Sequence, residues 1–180
     1  MTPAGYLYKK VEKKSDWFNA ENIKDIYSLS PHISKNFTDY IDYWLHNGYW
    51  LFDSPDIMEE IIRKENIKLG EMTLFYYEVH ELEYDDGEWA PFLPEKSFTT
   101  NIKVPDNKIL EGFDVVTFSC RTTPECSPLS CCNLAGKIQV NEHCLLESFQ
   151  DAEKALSSGF FDNSEPGPFR IFAVYSNPVL

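Results

Sequence analysis

The chain has 180 residues, of which 29 are acidic and 16 are basic, so its formal net charge is −13. This balance argues against general binding to nucleic acids, because contacts with phosphates require clusters of Lys and Arg. The 43% hydrophobic content excludes a disordered chain. A membrane-spanning helix needs about 20 apolar residues, and no apolar run of the sequence approaches this length.

We expect a single domain over residues 1–180. The N-terminal sequence MTPAGYLYKKVEKK lacks the apolar segment of a secretory signal, so we expect a cytoplasmic protein with no membrane partner. Residues 1–15 predict either a strand or a flexible arm. Residues 23–30 predict a second strand.

Two helices are predicted in the first half of the chain. Residues 34–48 carry apolar side chains at i, i+3, i+4, i+7 and i+8, which form one helical face: Phe37, Tyr40, Ile41, Trp44 and Leu45. The second helix follows Ser54-Pro55, a pair typical of an N-cap and a first helical residue.

The second half of the chain alternates strands with short helices. Residues 71–92 predict a hairpin that turns at Asp86-Gly87, and residues 96–104 and 113–120 predict further strands. One short helix starts at Ser127-Pro128, and another starts at the capping box of Ser148 and Asp151. FRIFAVYS then predicts a final, central strand. This order indicates an α+β fold with a mixed, mostly antiparallel sheet and three to four helices packed on it.

All five cysteines lie in one stretch, SCRTTPECSPLSCCNLAGKIQVNEHC, over residues 119–144. A reducing cytoplasm and an odd number of cysteines argue against a disulfide framework. Free cysteine is among the most buried residue types, so we interpret these residues as reduced thiols in or near the core. We therefore expect neither a catalytic residue nor a cofactor in this segment.

Two alternatives for the cysteine segment stay open. A structural zinc site would use Cys120, Cys126, Cys131 and Cys144, although no pair has the two-residue spacing of a zinc knuckle. A reactive thiol would use Cys126 as the nucleophile, close to a helix start, with His143 as the base, or else His80 or His46. The alternative function is therefore a Cys- or metal-dependent enzyme centred on residues 120–144, and a purely structural zinc module is a third option. The sequence contains no phosphate-binding glycine motif, no G-x-S-x-G and no H-E-x-x-H, so a non-enzymatic role is favoured.

Acidic residues are concentrated in two stretches. Residues 78–95 contain seven carboxylates and no Lys or Arg, and a second acidic stretch covers residues 142–165. Such a field attracts basic partners, and aromatic side chains supply buried anchors at protein interfaces. The predicted partner-binding residues are Glu78, Glu81, Glu83, Asp85, Asp86, Glu88 and Trp89, and the predicted partner is a basic protein.

Four segments carry a resemblance to known proteins. HNGYWLFDSP, LFYYEVHELEY, ECSPLSC and RIFAVYS together resemble a set of small acidic bacterial proteins with no known activity, over residues 25–180. In size, acidity and lack of catalytic motifs the chain is also similar to bacterial immunity proteins, which neutralise toxin domains. This second resemblance implies an inhibitor that occludes a basic toxin or nuclease.

Overall fold

The computed structural model of the chain describes residues 1–16, 18, 20–30, 36–37, 46–92, 101–118 and 124–180. These residues form a six-stranded antiparallel sheet of β1 (Thr2–Lys10), β4 (Met72–Val79), β5 (Leu82–Asp85), β6 (Glu88–Pro91), β7 (Asn107–Thr117) and β8 (Phe169–Val179). Two short strands, β2 (Glu12–Lys13) and β3 (Asp25–Ile26), pair separately. The helices are α1 (Pro55–Glu65), α2 (Pro128–Cys131) and α3 (Phe149–Ser157), with a 3-10 turn at Leu134–Lys137. None of the described helices combines the length and apolar character needed to cross a membrane.

Strand β8 is the central strand of the sheet. β4 pairs along one of its edges and β7 along the other, while β1 extends the sheet beyond β4. The β5–β6 hairpin joins β8 where Tyr84 lies opposite Phe169. The prediction of the last strand as central is confirmed, and the strand predicted over residues 113–120 lies beside it. The α+β class is confirmed in its coarse form, because the described pairings are antiparallel and the sheet dominates the helices.

Both faces of β8 are covered by apolar side chains. Phe172 and Val174 pack in one cluster that includes residues of β1 and β4, whereas Phe169 and Ile171 pack in a second cluster with α3. Successive residues of a strand point to opposite faces, so this division follows directly from the strand geometry. Burial of the first six residues of β8 explains why FRIFAV contains a single charged residue, Arg170.

The N-terminal residues form a strand rather than a flexible arm. β1 pairs with β4 from Thr2 to Lys10, and its residues 4–7 are buried. Gly5 permits this close packing, because a Cβ at this position would lie 2.7 Å from the carbonyl oxygen of Phe52. Its φ of +132° is also a conformation that side-chain-bearing residues rarely adopt.

The local helix signals are confirmed where the structure describes them. α1 begins at Pro55 after Ser54, and the side chain of Ser148 caps α3 by accepting a hydrogen bond from the Asp151 amide. Of the strand predicted over residues 23–30, only Asp25–Ile26 is a strand. Most of the helix predicted over residues 34–48 and of the strand predicted over residues 96–104 lies outside the described residues. The described end of the latter, residues 101–104, is not a strand.

Candidate functional site

The β5–β6 hairpin projects an acidic turn from the sheet. Asp86 and Gly87 have φ values of 48° and 85°, so both central residues of this two-residue turn are left-handed. Such a turn matches the twist of antiparallel strands, and the pairing of Asp85 with Glu88 encloses it. Asp85, Asp86 and Glu88 are exposed. The sequence prediction of the turn is confirmed.

The segment after α3 supplies a second acidic wall. Gly159, with a φ of 72°, ends the helix and its amide donates to the carbonyl of Leu156 at 3.0 Å. The following turns bury Phe161 and leave Asp162 and Glu165 exposed. This wall lies close to the hairpin, because Asp85 Oδ1 is 3.0 Å from the position that a Cβ on Gly167 would occupy.

The β5–β6 hairpin and the loop after α3 together form an acidic groove with a cavity volume of about 770 Å³. Its rim carries four carboxylates, and aromatic side chains are part of its lining: Asp85, Asp86, Asp162 and Glu165 on the rim, with Tyr84, Phe161 and Phe169 below. No Lys or Arg is among the described residues that line it. Within the described ranges none of the four carboxylates forms an ion pair, so no Lys or Arg described in the structure compensates their charge.

Two of the predicted partner-binding carboxylates are instead used inside the molecule. Glu78 pairs with Lys108 and accepts a hydrogen bond from the Tyr175 hydroxyl at 2.9 Å. Glu83 accepts a hydrogen bond of 2.8 Å from Arg170. Both side chains are mostly shielded from solvent, at 15% and 23% exposure. Their charges are therefore largely compensated within the fold.

The remaining predicted residues lie on or beside the hairpin surface. Glu81 and Glu88 are exposed, and Trp89 is half-buried with its ring 5.0 Å from that of Tyr84. Asp85 and Asp86 line the groove itself. The residues absent from the sequence prediction are Asp162 and Glu165. They belong to the second acidic stretch, and only the loop geometry after α3 brings them to the hairpin.

In the part of the cysteine segment that the structure describes, Cys126 does not have the surroundings of an activated nucleophile. The hydrogen bond to Cys131 and burial raise the pKa of the Cys126 thiol well above its usual range, which opposes thiolate formation. α2, which follows Cys126, has only four residues. His143 stacks on Tyr27 at 4.1 Å and contacts Asp25 at 3.1 Å. Among the described residues, Cys126 and His143 share no hydrogen bond.

Among the described residues, Cys126, Cys131 and Cys144 from the predicted zinc set do not form a group of converging ligand atoms. The four described cysteines are thiols, and Cys126 and Cys144 are buried, as expected for core residues. Cys144 packs in the second apolar cluster, where burial raises the pKa of its thiol. Cys120 lies outside the described residues. In the described part of the chain the ligand atoms that converge come from Cys126, Cys132 and Glu165.

Comparisons with known proteins identify no relative whose function could be compared with the groove. No protein-family model, no curated protein and no solved structure matches the chain.

Proposed function

We propose that this chain is a non-enzymatic protein-binding module that captures a cationic segment of a partner protein in the acidic groove. The observation that carries the proposal is the convergence of carboxylates from two distant segments around aromatic side chains. Lys and Arg side chains suit such a groove, because their charged ends pair with carboxylates while their stems and the guanidinium plane pack on aromatic rings.

The charge of the whole chain supports the same partner chemistry. A net charge of −13 attracts a basic protein over long range and raises the association rate, while the rim carboxylates select its orientation. Each exposed ion pair contributes roughly 0.2–1 kcal/mol, so affinity requires several pairs together with burial of aromatic surface. Tyr84 lines the groove, and Trp89, packed against it, is the adjoining aromatic anchor. Glu81 and Glu88 add charge on the same hairpin.

The biological form of this binding that we propose is an immunity-type inhibitor in the cytoplasm. A toxin nuclease needs basic residues at the surface that holds its nucleic acid. An acidic module that occupies this surface blocks substrate by occlusion and needs no catalytic group of its own. The small size, the acidity and the lack of catalytic motifs in the sequence support this form.

Fluorescence anisotropy of a labelled Arg-rich peptide tests the groove. The triple variant D85N/D86N/D162N removes three rim carboxylates, and E59Q/E60Q/E71Q removes three exposed carboxylates elsewhere, so the two variants have the same net charge. We expect the groove variant to bind the peptide about 10-fold more weakly than the control variant, from three pairs of roughly 0.5 kcal/mol each. A peptide with Gln in place of Arg should not bind. Equal weakening in both variants would show that the peptide responds only to net charge.

The inhibitor form needs a separate experiment on the natural partner. The tagged chain is used at low salt to capture proteins from its own host, in parallel with the groove variant and the control variant. The proposal would be supported by a basic protein that the native chain and the control variant retain and that high salt releases. Addition of the chain should inhibit the nuclease activity of this protein. Capture that is equal for all three proteins would contradict it.

A further inference from the structure

Three side chains with metal-binding atoms converge beside β7. One ligand atom from each of Cys126, Cys132 and Glu165 lies within 4.8 Å of the other two. Hydrogen bonds hold Cys126 in place: its carbonyl accepts from the Thr117 amide at 2.8 Å, and its amide donates to Thr117 Oγ1 at 3.1 Å. Cys132 is the C-cap residue of α2. Glu165 reaches the thiols from the exposed loop that follows α3.

The distance between the two sulfur atoms suits a shared metal ion. Cys126 Sγ and Cys132 Sγ are 3.9 Å apart. Two thiolates bound to a tetrahedral Zn²⁺ at about 2.3 Å stand about 3.8 Å from each other, so an ion could enter with little change in this spacing. A disulfide would require the sulfur atoms to approach to about 2.05 Å.

We propose that Cys126, Cys132 and Glu165 form a site for one Zn²⁺ ion, with water in the fourth position. The two thiols lose their protons to solvent as the two Zn–S bonds form, and no group is oxidised or reduced. Zn²⁺ is preferred over Ca²⁺ or Mg²⁺ because thiolates are soft ligands. The two thiolates and one carboxylate carry three negative charges, of which the ion neutralises two.

The surroundings suit the entry and retention of an ion. Cys126 is only 4% exposed, Cys132 is half-buried and Glu165 is exposed, so the site opens to solvent on the carboxylate side. Cys131 is a neighbour of this trio: its sulfur lies 3.0 Å from Ser30 Oγ, and it interacts with Cys126.

This ligand set differs from the one predicted from sequence. Cys132 and Glu165 take part, whereas Cys144 is buried in the second cluster. Glu165 also lines the acidic groove, so a bound ion would hold one wall of the groove in place. The metal proposal does not depend on the proposed partner, because metal binding is measured on the isolated chain.

Titration with Co²⁺ and Zn²⁺ tests the site directly. The full chain is kept reduced with a phosphine, and Co²⁺ serves as the probe because its bonds to thiolates give a charge-transfer absorption band. We expect one equivalent of Co²⁺ to produce this band and one equivalent of Zn²⁺ to displace it. C126S and C132S should each weaken binding by more than about 100-fold, beyond the 10–100-fold typical of losing an outer-shell partner.

Matched variants separate the site from general effects of removing thiols or charge. C144A removes a buried thiol outside the trio, and E153Q removes an exposed carboxylate on α3; both should keep native affinity. E165Q should weaken binding at least about 10-fold. Absence of the thiolate band in the native chain, or equal loss of affinity in C126S and C144A with both proteins folded by circular dichroism, would overturn the proposal.

Discussion

Arg170 of β8 donates a hydrogen bond of 2.8 Å to Glu83 of β5, and this pair ties the acidic hairpin to the central strand. The Arg170 side chain is only 2% exposed, and its guanidinium carbon lies 3.1 Å from the centre of the Phe92 ring and 4.1 Å from that of Phe118. β5 and β8 share a single strand pairing, Tyr84 with Phe169. The ion pair therefore adds a second connection close to the groove and makes Glu83 a structural residue.

Replacing Glu83 by Gln should destabilise the fold. The change removes one member of a charge-assisted hydrogen bond, and because Glu83 is partly exposed we expect a loss of about 1 kcal/mol in the free energy of unfolding. E88Q, on the exposed face of the same hairpin, should change it by less than about 0.5 kcal/mol. Urea unfolding of the two variants checks this difference. Equal stability of the two would mean that the Arg170 contact contributes nothing measurable.

The predicted partner-binding residues should divide into two groups in the peptide assay. D85N and D86N each remove a rim carboxylate, so we expect each to lower affinity for the Arg-rich peptide by about 2- to 5-fold. E78Q and E83Q should leave the affinity within about 2-fold, because these carboxylates are paired with Lys108 and Arg170. A larger effect of E83Q than of D85N would place the binding surface elsewhere on the hairpin.

Asp114 should make the stability of the protein depend on pH. Its side chain is fully buried, and Oδ2 accepts hydrogen bonds from the Leu29 amide at 2.7 Å and the Ser127 hydroxyl at 2.6 Å. Oδ1 has no hydrogen-bond partner among the described residues. Burial raises the pKa of Asp114 to about 7, against the lowering effect of these two hydrogen bonds and of Lys9.

The direction of this pH dependence follows from the difference between the folded and the unfolded pKa of Asp114. The unfolded carboxyl has a pKa of about 3.9, so the folded state binds the additional proton between that pH and about 7. The stabilising contribution of Asp114 is therefore greatest below about pH 4 and is lost as the pH rises through 7. We expect the contribution of Asp114 to fall by about 2–3 kcal/mol between pH 5 and pH 8. Urea unfolding across this range measures it.

D114N is the control for the pH effect. The neutral amide imitates the protonated carboxyl and keeps an oxygen to accept from Leu29 and Ser127. Unfolding free energies of D114N should therefore change less with pH than those of the native chain, the difference being the Asp114 contribution. Parallel pH profiles for the two proteins would show that Asp114 ionises alike in the folded and unfolded states.

The N-terminal cap of α3 should contribute measurably to the free energy of unfolding. Ser148 Oγ accepts from the Asp151 amide at 3.1 Å and donates to the Asp151 carboxylate at 2.6 Å. S148A should cost about 1 kcal/mol of unfolding free energy. S157A, at the other end of the same helix, removes only an exposed bond to the Glu153 carbonyl and should cost less. Equal losses in the two variants would contradict a specific capping role.

Local structure was predictable where a few neighbouring residues decide it. Pro55 begins α1, Ser148 caps α3 and Asp86-Gly87 forms the hairpin turn. The mostly apolar sequence FRIFAV predicts the central strand β8. These features depend on backbone preferences and hydrogen bonds within a few residues, which the amino-acid types themselves set. The strand predicted over residues 23–30 was too long, since only residues 25–26 form a strand. Strand length depends on a pairing partner, which the sequence pattern does not reveal.

The sequence by itself determined the acidity and the local starts and turns of the fold. Only the tertiary structure decided which carboxylates face solvent: Glu83 meets Arg170 across 87 residues of chain, while Asp162 and Glu165 join Asp85 around one groove. The physical reason is that strand order and loop closure bring distant residues together, and the charge, burial and pairing of a side chain depend on those neighbours rather than on its own spacing in the chain.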